Sequence, residues 1–203
     1  MFVQVIQGTV KDEGGLRKQM DLWKTELKPG AEGYLGSTGG ITPDGRFITL
    51  ARFESEEAAQ RSSDRPEQGK WWAETEKFIG NPQFTNYTNV ETYMGGGSDE
   101  AGFVQIMQGG IKPEHLEKAR AMYEEMLVDM PSERPDIFGM LSCFGEDGSF
   151  TDAIYFRSEK EAREGEAKME NDPKSQEEMA QFQEIATGPP TFFDLLEPQL
   201  DTK

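Results

Sequence analysis

The heptad FVQVIQG at Phe2–Gly8 returns as FVQIMQG at Phe103–Gly109, just past the midpoint of a 203-residue chain. A chain that opens twice in this way is most simply two copies of one structural unit, and each copy then has to supply a complete set of elements from about 100 residues. The repeat runs on: TPDGRFITLARFESEEAA (Thr42–Ala59) answers GEDGSFTDAIYFRSEKEA (Gly145–Ala162). Aligning the two Asp-Gly pairs brings Phe47 onto Phe150, Phe53 onto Phe156 and Ser55 onto Ser158. IGNP (Ile79–Pro82) and TGPP (Thr187–Pro190) match in place and in turn chemistry. Between the copies lies GGGSDEAG, a flexible Gly/Ser stretch. The expected organisation is a first unit over residues 1–94, a connector over 95–101, and a second unit over 102–203 that ends in a short tail.

Each copy reads in the same order. An opening strand is followed by a helix whose apolar positions recur at spacings of three and four: Leu16, Met20, Trp23 and Leu27, or Leu116, Ala119, Tyr123, Met126, Leu127 and Met130. Two apolar runs then flank Asp44-Gly45 or Asp147-Gly148, a strong hairpin signal. A second helical region starts at the Ser55 or Ser158 cap, with acidic residues in its first turn. A last strand, about Phe84–Tyr93 or Thr191–Glu197, closes the unit. The order β-α-β-β-α-β is the ferredoxin-like unit, whose sheet has one face covered by helices and one left open. Tandem copies supply each other's partner covalently, so the predicted fold class is α+β: two ferredoxin-like units forming an intrachain pseudo-dimeric α+β barrel.

The two FVQ openings, the DGRF…ARFESEEAA and DGSF…YFRSEKEA joints, and the aromatic closing strands together resemble the dimeric α+β barrel superfamily. They are most similar to the antibiotic biosynthesis monooxygenase-like group, in a tandem form. The resemblance covers nearly the whole chain and speaks to fold; on activity it is only suggestive, because this fold hosts oxygenases, haem-degrading enzymes, isomerases and binding proteins.

Composition narrows the partners. The net charge of −17 argues against nucleic acid and against an anionic membrane surface. It is unevenly spread, with −3 over residues 1–97 and −14 over residues 98–203, which is read as a more solvated second half. Cys143 is the single cysteine and is expected to be a small buried hydrophobe. No stretch has the length of a membrane span, and the opening MFVQVIQGTV lacks a basic leader, so a cytoplasmic setting is expected. His115, the single histidine, lies in the first turn of a helix. Haem-degrading relatives carry a histidine on the second helix and an asparagine on the first strand. Here the second helices lack histidine and the first strand has glutamine, so neither a haem nor another cofactor is expected, and no metal ligand set is apparent.

The candidate site residues follow from strand alternation and the family likeness. Phe2, Gln4 and Ile6 share one face of the first strand, and Val3, Val5 and Gln7 the other. Helix-covered faces tend to be purely apolar, so Gln4 and its copy Gln105 are expected on the opposite, open face. There their amides either bind a ligand carbonyl or bond each other or water. KWWAETEKFIG places Trp71 and Trp72 on one helical stripe, absent from the second copy. A tryptophan here resembles the pocket tryptophan of the monooxygenase-like proteins, and the alternative is that both rings are core. Arg52, aligned with Tyr155, either holds a phenolate oxygen or is an edge-strand charge. Tyr34, Phe84 and Tyr87 are expected to complete an aromatic lining. Asp152 is either a buried base or an inert edge carboxylate.

The resemblance implies a cofactor-independent monooxygenase-like reaction on a flat phenolic or quinol-type molecule, with Arg52 and Trp72 in catalytic roles. Gln4, Tyr34, Trp71, Phe84, Tyr87 and Gln105 would then bind the small aromatic partner. The alternative is a non-catalytic barrel that binds a small ligand or serves in stress response or interaction. Further pairing into a homodimer is left open.

Overall fold

The computed structural model describes residues 1–201. The first unit holds β1 (Phe2–Val10), α1 (Glu13–Leu22), β2 (Tyr34–Ile41), β3 (Arg46–Phe53), α2 (Glu56–Ser63), α3 (Pro66–Thr75) and β4 (Ile79–Tyr87). The second holds β5 (Asn89–Tyr93), β6 (Phe103–Gly110), α4 (Leu116–Glu133), β7 (Ile137–Phe144), β8 (Ser149–Phe156), α5 (Glu159–Glu170), α6 (Pro173–Ile185) and β9 (Thr191–Leu195), and β10 (Gln199–Asp201) follows. The predicted β-α-β-β-α-β order is present in both copies. Each second helical region is two helices, because Pro66 and Pro173 cannot continue a preceding helix and instead start a new one. The predicted caps form: Ser55 accepts from the Ala58 amide and Ser158 from the Glu161 amide, both at 3.2 Å.

Each sheet is five-stranded and antiparallel, in the orders β10-β2-β3-β1-β4 and β5-β7-β8-β6-β9. The fifth strands depart from the sequence reading. The stretch expected as one closing strand over Phe84–Tyr93 divides into β4 and β5, and β5 pairs beside β7 in the second sheet. The C-terminal tail, expected with the second unit, supplies β10, which pairs with β2 through Gln199–Gly39 and Asp201–Ser37. The compact units accordingly comprise Met1–Val90 with the stretch from Glu197, and Glu91–Leu196.

A bulge between Tyr34 and Gly36 receives β10. Gly36 has φ +134°, and a Cβ there would lie 2.1 Å from the Asp201 carbonyl oxygen, so only glycine fits. Gly139, the same position in the second copy, is equally close to the Gly96 carbonyl, at 2.0 Å.

Cross-strand register sorts the first sheet into two faces. Val3, Val5, Ile48, Leu50, Arg52 and Tyr87 lie on one face, all buried. Phe2, Gln4, Ile6, Phe47, Thr49 and Phe53 lie on the other, and this is the face that carries the helices. Phe2 and Phe53 pack with Ala58 and Ala59 of α2, while Phe47 and Ile6 pack with Leu16, Met20 and Trp72. Gln4 therefore sits on the helix-covered face, opposite to expectation. The premise that this face is purely apolar fails because the helices leave space over the centre of the sheet.

Candidate functional site

That space is a half-enclosed cavity of about 110 Å³ contained within the first unit. Its floor is the sheet: Gln4, Ile6, Ser37, Gly39, Phe47, Thr49, Ala51 and Phe53, with Tyr34 and Gln199 at the β2–β10 side. Its roof comes from Met20, Trp23 and Lys24 of the first helix region, and from Ser62, Ser63, Gln68 and Trp71 of the second. Gly39 belongs to this floor because a strand position without a side chain leaves room above the sheet.

Local helix geometry brings the roof into place. At Trp23 the first helix widens into a π-turn, Trp23–Leu27, before a tight turn over Lys28–Gly30 that contains Pro29. Single π-turns re-aim the side chains of a helix. Trp23 meets Tyr34 edge to face at 4.9 Å, and Tyr34 meets Phe53 at 5.6 Å. The Trp23 indole nitrogen donates to Gln68 Oε1 at 3.0 Å, and that of Trp71 donates to the Gln19 carbonyl at 2.8 Å. Both indoles are thus clamped between the two helix regions.

The expected site residues divide. Gln4, Tyr34 and Trp71 line the cavity. The Gln4 amide donates to Asn86 Oδ1 at 3.1 Å. Trp72 lies in the core beside Leu16 and Phe47, with Phe84 at 5.1 Å edge to face. Phe84 itself is 50% exposed. Arg52 and Tyr87 occupy the opposite sheet face. Arg52 is buried there, and its Nη2 donates to the Asp201 carbonyl at 2.7 Å, tying β3 to the C-terminal strand. Gln105 belongs to the second unit, where it donates to Asp194 Oδ1 at 3.0 Å within a network that includes Arg163 and Glu166.

Sequence reasoning missed Trp23, Lys24, Gln68 and Gln199. Trp23 was absorbed into the apolar stripe of α1, and no periodicity announces a π-turn. Gln199 enters only because β10 joins the first sheet, 160 residues along the chain from its partner Gly39.

The cavity is poor in ionisable groups. Burial raises the Tyr34 hydroxyl above its ordinary range, and Asp201 reinforces this against the opposing pull of Ser37 and Arg52. The group therefore stays protonated and is a hydrogen-bond donor. No carboxylate, histidine or cysteine lines the walls, and among the described residues no cluster of such side chains could hold a metal ion.

The second unit carries larger or more polar side chains at the corresponding positions. Met20, Gly39 and Thr49 of the cavity align with Tyr123, Ser142 and Asp152. The Tyr123 hydroxyl donates to Ser142 Oγ at 2.8 Å. Ser142 faces Asp152 across the hairpin and stabilises its charged form, yet burial still pushes that carboxyl up to about 7. Burial by the same core raises the Cys143 thiol, which fits its reading as a buried hydrophobe.

No family model matches this chain, and no curated protein matches it. Solved structures do. A candidate monooxygenase from Fusobacterium nucleatum is 10% identical, with a TM-score of 0.80 over 100% of this chain and 94% of that one. An anthrone oxidase-like protein is 10% identical, with a TM-score of 0.70 over 100% and 94%. A ferredoxin-fold protein of Listeria monocytogenes, described as related to antibiotic biosynthesis monooxygenases, is 12% identical, with a TM-score of 0.53 over 95% and 92%. At these identities the likeness is one of fold: the chain is a tandem pair of ferredoxin-like units with the architecture of antibiotic biosynthesis monooxygenase-like proteins.

Proposed function

We propose that the first unit binds a small aromatic molecule between Trp23, Trp71 and the sheet, and oxidises it with molecular oxygen without a cofactor. The observation that carries this reading is the cavity itself, walled by Trp23, Tyr34, Phe47, Phe53 and Trp71. Aromatic walls contribute stacking beyond simple area burial. An apolar cavity of about 150 Å³ holds one benzene molecule, so this half-open space of about 110 Å³ takes part of a ring system and leaves the rest at the mouth.

The chemistry open to such a site is substrate-assisted. An electron-rich phenolate or quinol anion donates an electron to O₂, and the radical pair combines to a peroxide. Where the reacting carbon is a ring CH₂, as in an anthrone, it becomes C=O, and the second oxygen atom leaves as water. The aromatic walls keep water away from the developing oxyanion. Fold likeness to a candidate monooxygenase and an anthrone oxidase-like protein supports this reaction class.

A second reading rests on a different observation. The absence of any carboxylate, histidine or cysteine in the walls leaves no strong general base, which suits a binding protein without catalysis. Oxygen uptake by the purified protein, with hydroquinones and anthrones as substrates and chelator present, separates the two. Saturable uptake that falls in Trp71→Ala supports the oxygenase. Binding measured under nitrogen, with no uptake in air, leaves the binding protein.

A further inference from the structure

The chain carries 38 acidic and 21 basic side chains, for a net charge of −17. A cavity in such a protein would be expected to show carboxylates. Among its lining residues the single charged one is Lys24, and the rest of the polar wall is hydroxyls and amides. Several other cations of this unit have anionic partners, Arg17 with Glu13, Lys28 with Asp201, Arg46 with Asp44 and Lys77 with Glu74, while Lys24 is the one that lines the cavity. Lys24 makes no ion pair within 4.0 Å among the described residues. It is half-buried at the start of the π-turn, immediately after the cavity's Trp23.

From this we infer that the ring bound in the first unit carries an anionic oxygen, a carboxylate or a phenolate, and that Lys24 is the residue that selects it. The inference rests on the aromatic-site reading above and adds the residue that recognises the ligand's anionic oxygen. The physical argument is local. At long range the protein's field repels anions, and the Debye length of about 8 Å in physiological salt confines that repulsion to the approach. Inside a half-enclosed apolar space, an unpaired ammonium attracts an anion more strongly than it would in water. The Tyr34 hydroxyl is enclosed beside Ser37 and Asp201, so Lys24 is the group left to meet the anion. No carboxylate in the wall opposes it.

The test uses matched single-ring probes on the full chain, by titration calorimetry under nitrogen at about pH 8. Benzoate is compared with benzamide for the carboxylate, and 4-nitrophenolate with 4-nitroanisole for the phenolate. A hydrogen bond to a charged group is worth on the order of tenfold in affinity, so each preferred anion should bind about tenfold more tightly than its neutral partner. Lys24→Gln should bring that preference close to one, while Lys24→Arg should keep it. Lys24→Gln removes no contact of the fold, so its melting temperature should match the wild type. A preference confined to one pair assigns the anion as carboxylate or phenolate. Equal binding of anion and neutral partner, or a preference that survives Lys24→Gln, overturns the role of Lys24 and leaves the aromatic site standing. Failure of all four probes to bind overturns both.

Discussion

Ser142 and Asp152 face each other across the β7–β8 hairpin, at the register that Gly39 and Thr49 occupy across β2 and β3. Two copies of one unit thus use the same positions differently. In the first, a glycine and a threonine lie in the cavity floor beneath Met20; in the second, Tyr123 donates to the serine that faces a buried aspartate. The repeat preserves the scaffold and spends the freedom on a few interior side chains.

Asp152 makes stability depend on pH. Its folded-state value is raised from 3.8 to about 7 by burial, so the folded protein holds the proton more tightly than the unfolded chain. The stabilisation is fully present below about pH 4 and is lost as pH rises to about 7, by at most ~4 kcal/mol. Asp44, Asp147 and Asp172 have lowered values and act in the opposite sense in more acid solution. Asp152→Asn should therefore gain stability relative to the wild type between about pH 5 and pH 8. Thermal melts across that range check it; an unchanged difference would show that Asp152 does not titrate there.

The three tryptophans should separate by function. Trp72→Ala empties a place in the Leu16–Phe47–Ile79 cluster and should cost about 3 kcal/mol in denaturant unfolding. Trp71→Phe loses the bond to the Gln19 carbonyl, a cost of about 1 kcal/mol, and should weaken ring binding several-fold. If Trp72→Ala instead leaves stability unchanged and abolishes binding, the cavity has been placed on the wrong side of α3.

Gly36→Ala should detach the C-terminal strand. The new Cβ would overlap the Asp201 carbonyl and Arg52 Nη2, in a backbone conformation that alanine resists. The expected result is a loss of ~2 kcal/mol or more. Amides of Gln199–Asp201 should also exchange faster in deuterium, and the Gln199 wall of the cavity should loosen. Arg52→Met, which removes the bond to Asp201, should give a milder version of the same pattern.

Met20→Tyr copies the second unit's Tyr123 into the first. The phenol ring should occupy part of the cavity and weaken ring binding by at least about tenfold, roughly the 1–3 kcal/mol typical of overfilling a packed site. Calorimetry with the best-bound ring measures it directly. Undiminished binding would place the ligand elsewhere.

The repeated FVQ openings, the paired Asp-Gly turns and the serine caps were enough to read two ferredoxin-like units, because hairpin turns and helix caps are local and each carries its own residue signature. The same is true of Trp71, whose neighbourhood announced an aromatic stripe. The face on which Gln4 lies, the burial of Arg52 behind β10, and the choice between Trp71 and Trp72 were not local properties. They depend on which sheet face the helices cover, and on a strand that joins its neighbour from the far end of the chain. Trp23 and Lys24 entered the site through a π-turn that no apolar spacing encodes. The sequence by itself determined the units and their order, since short-range backbone preferences and side-chain periodicity suffice for that. Only the tertiary structure decided where the cavity opens, because empty space is a property of how distant side chains fail to fill a volume together.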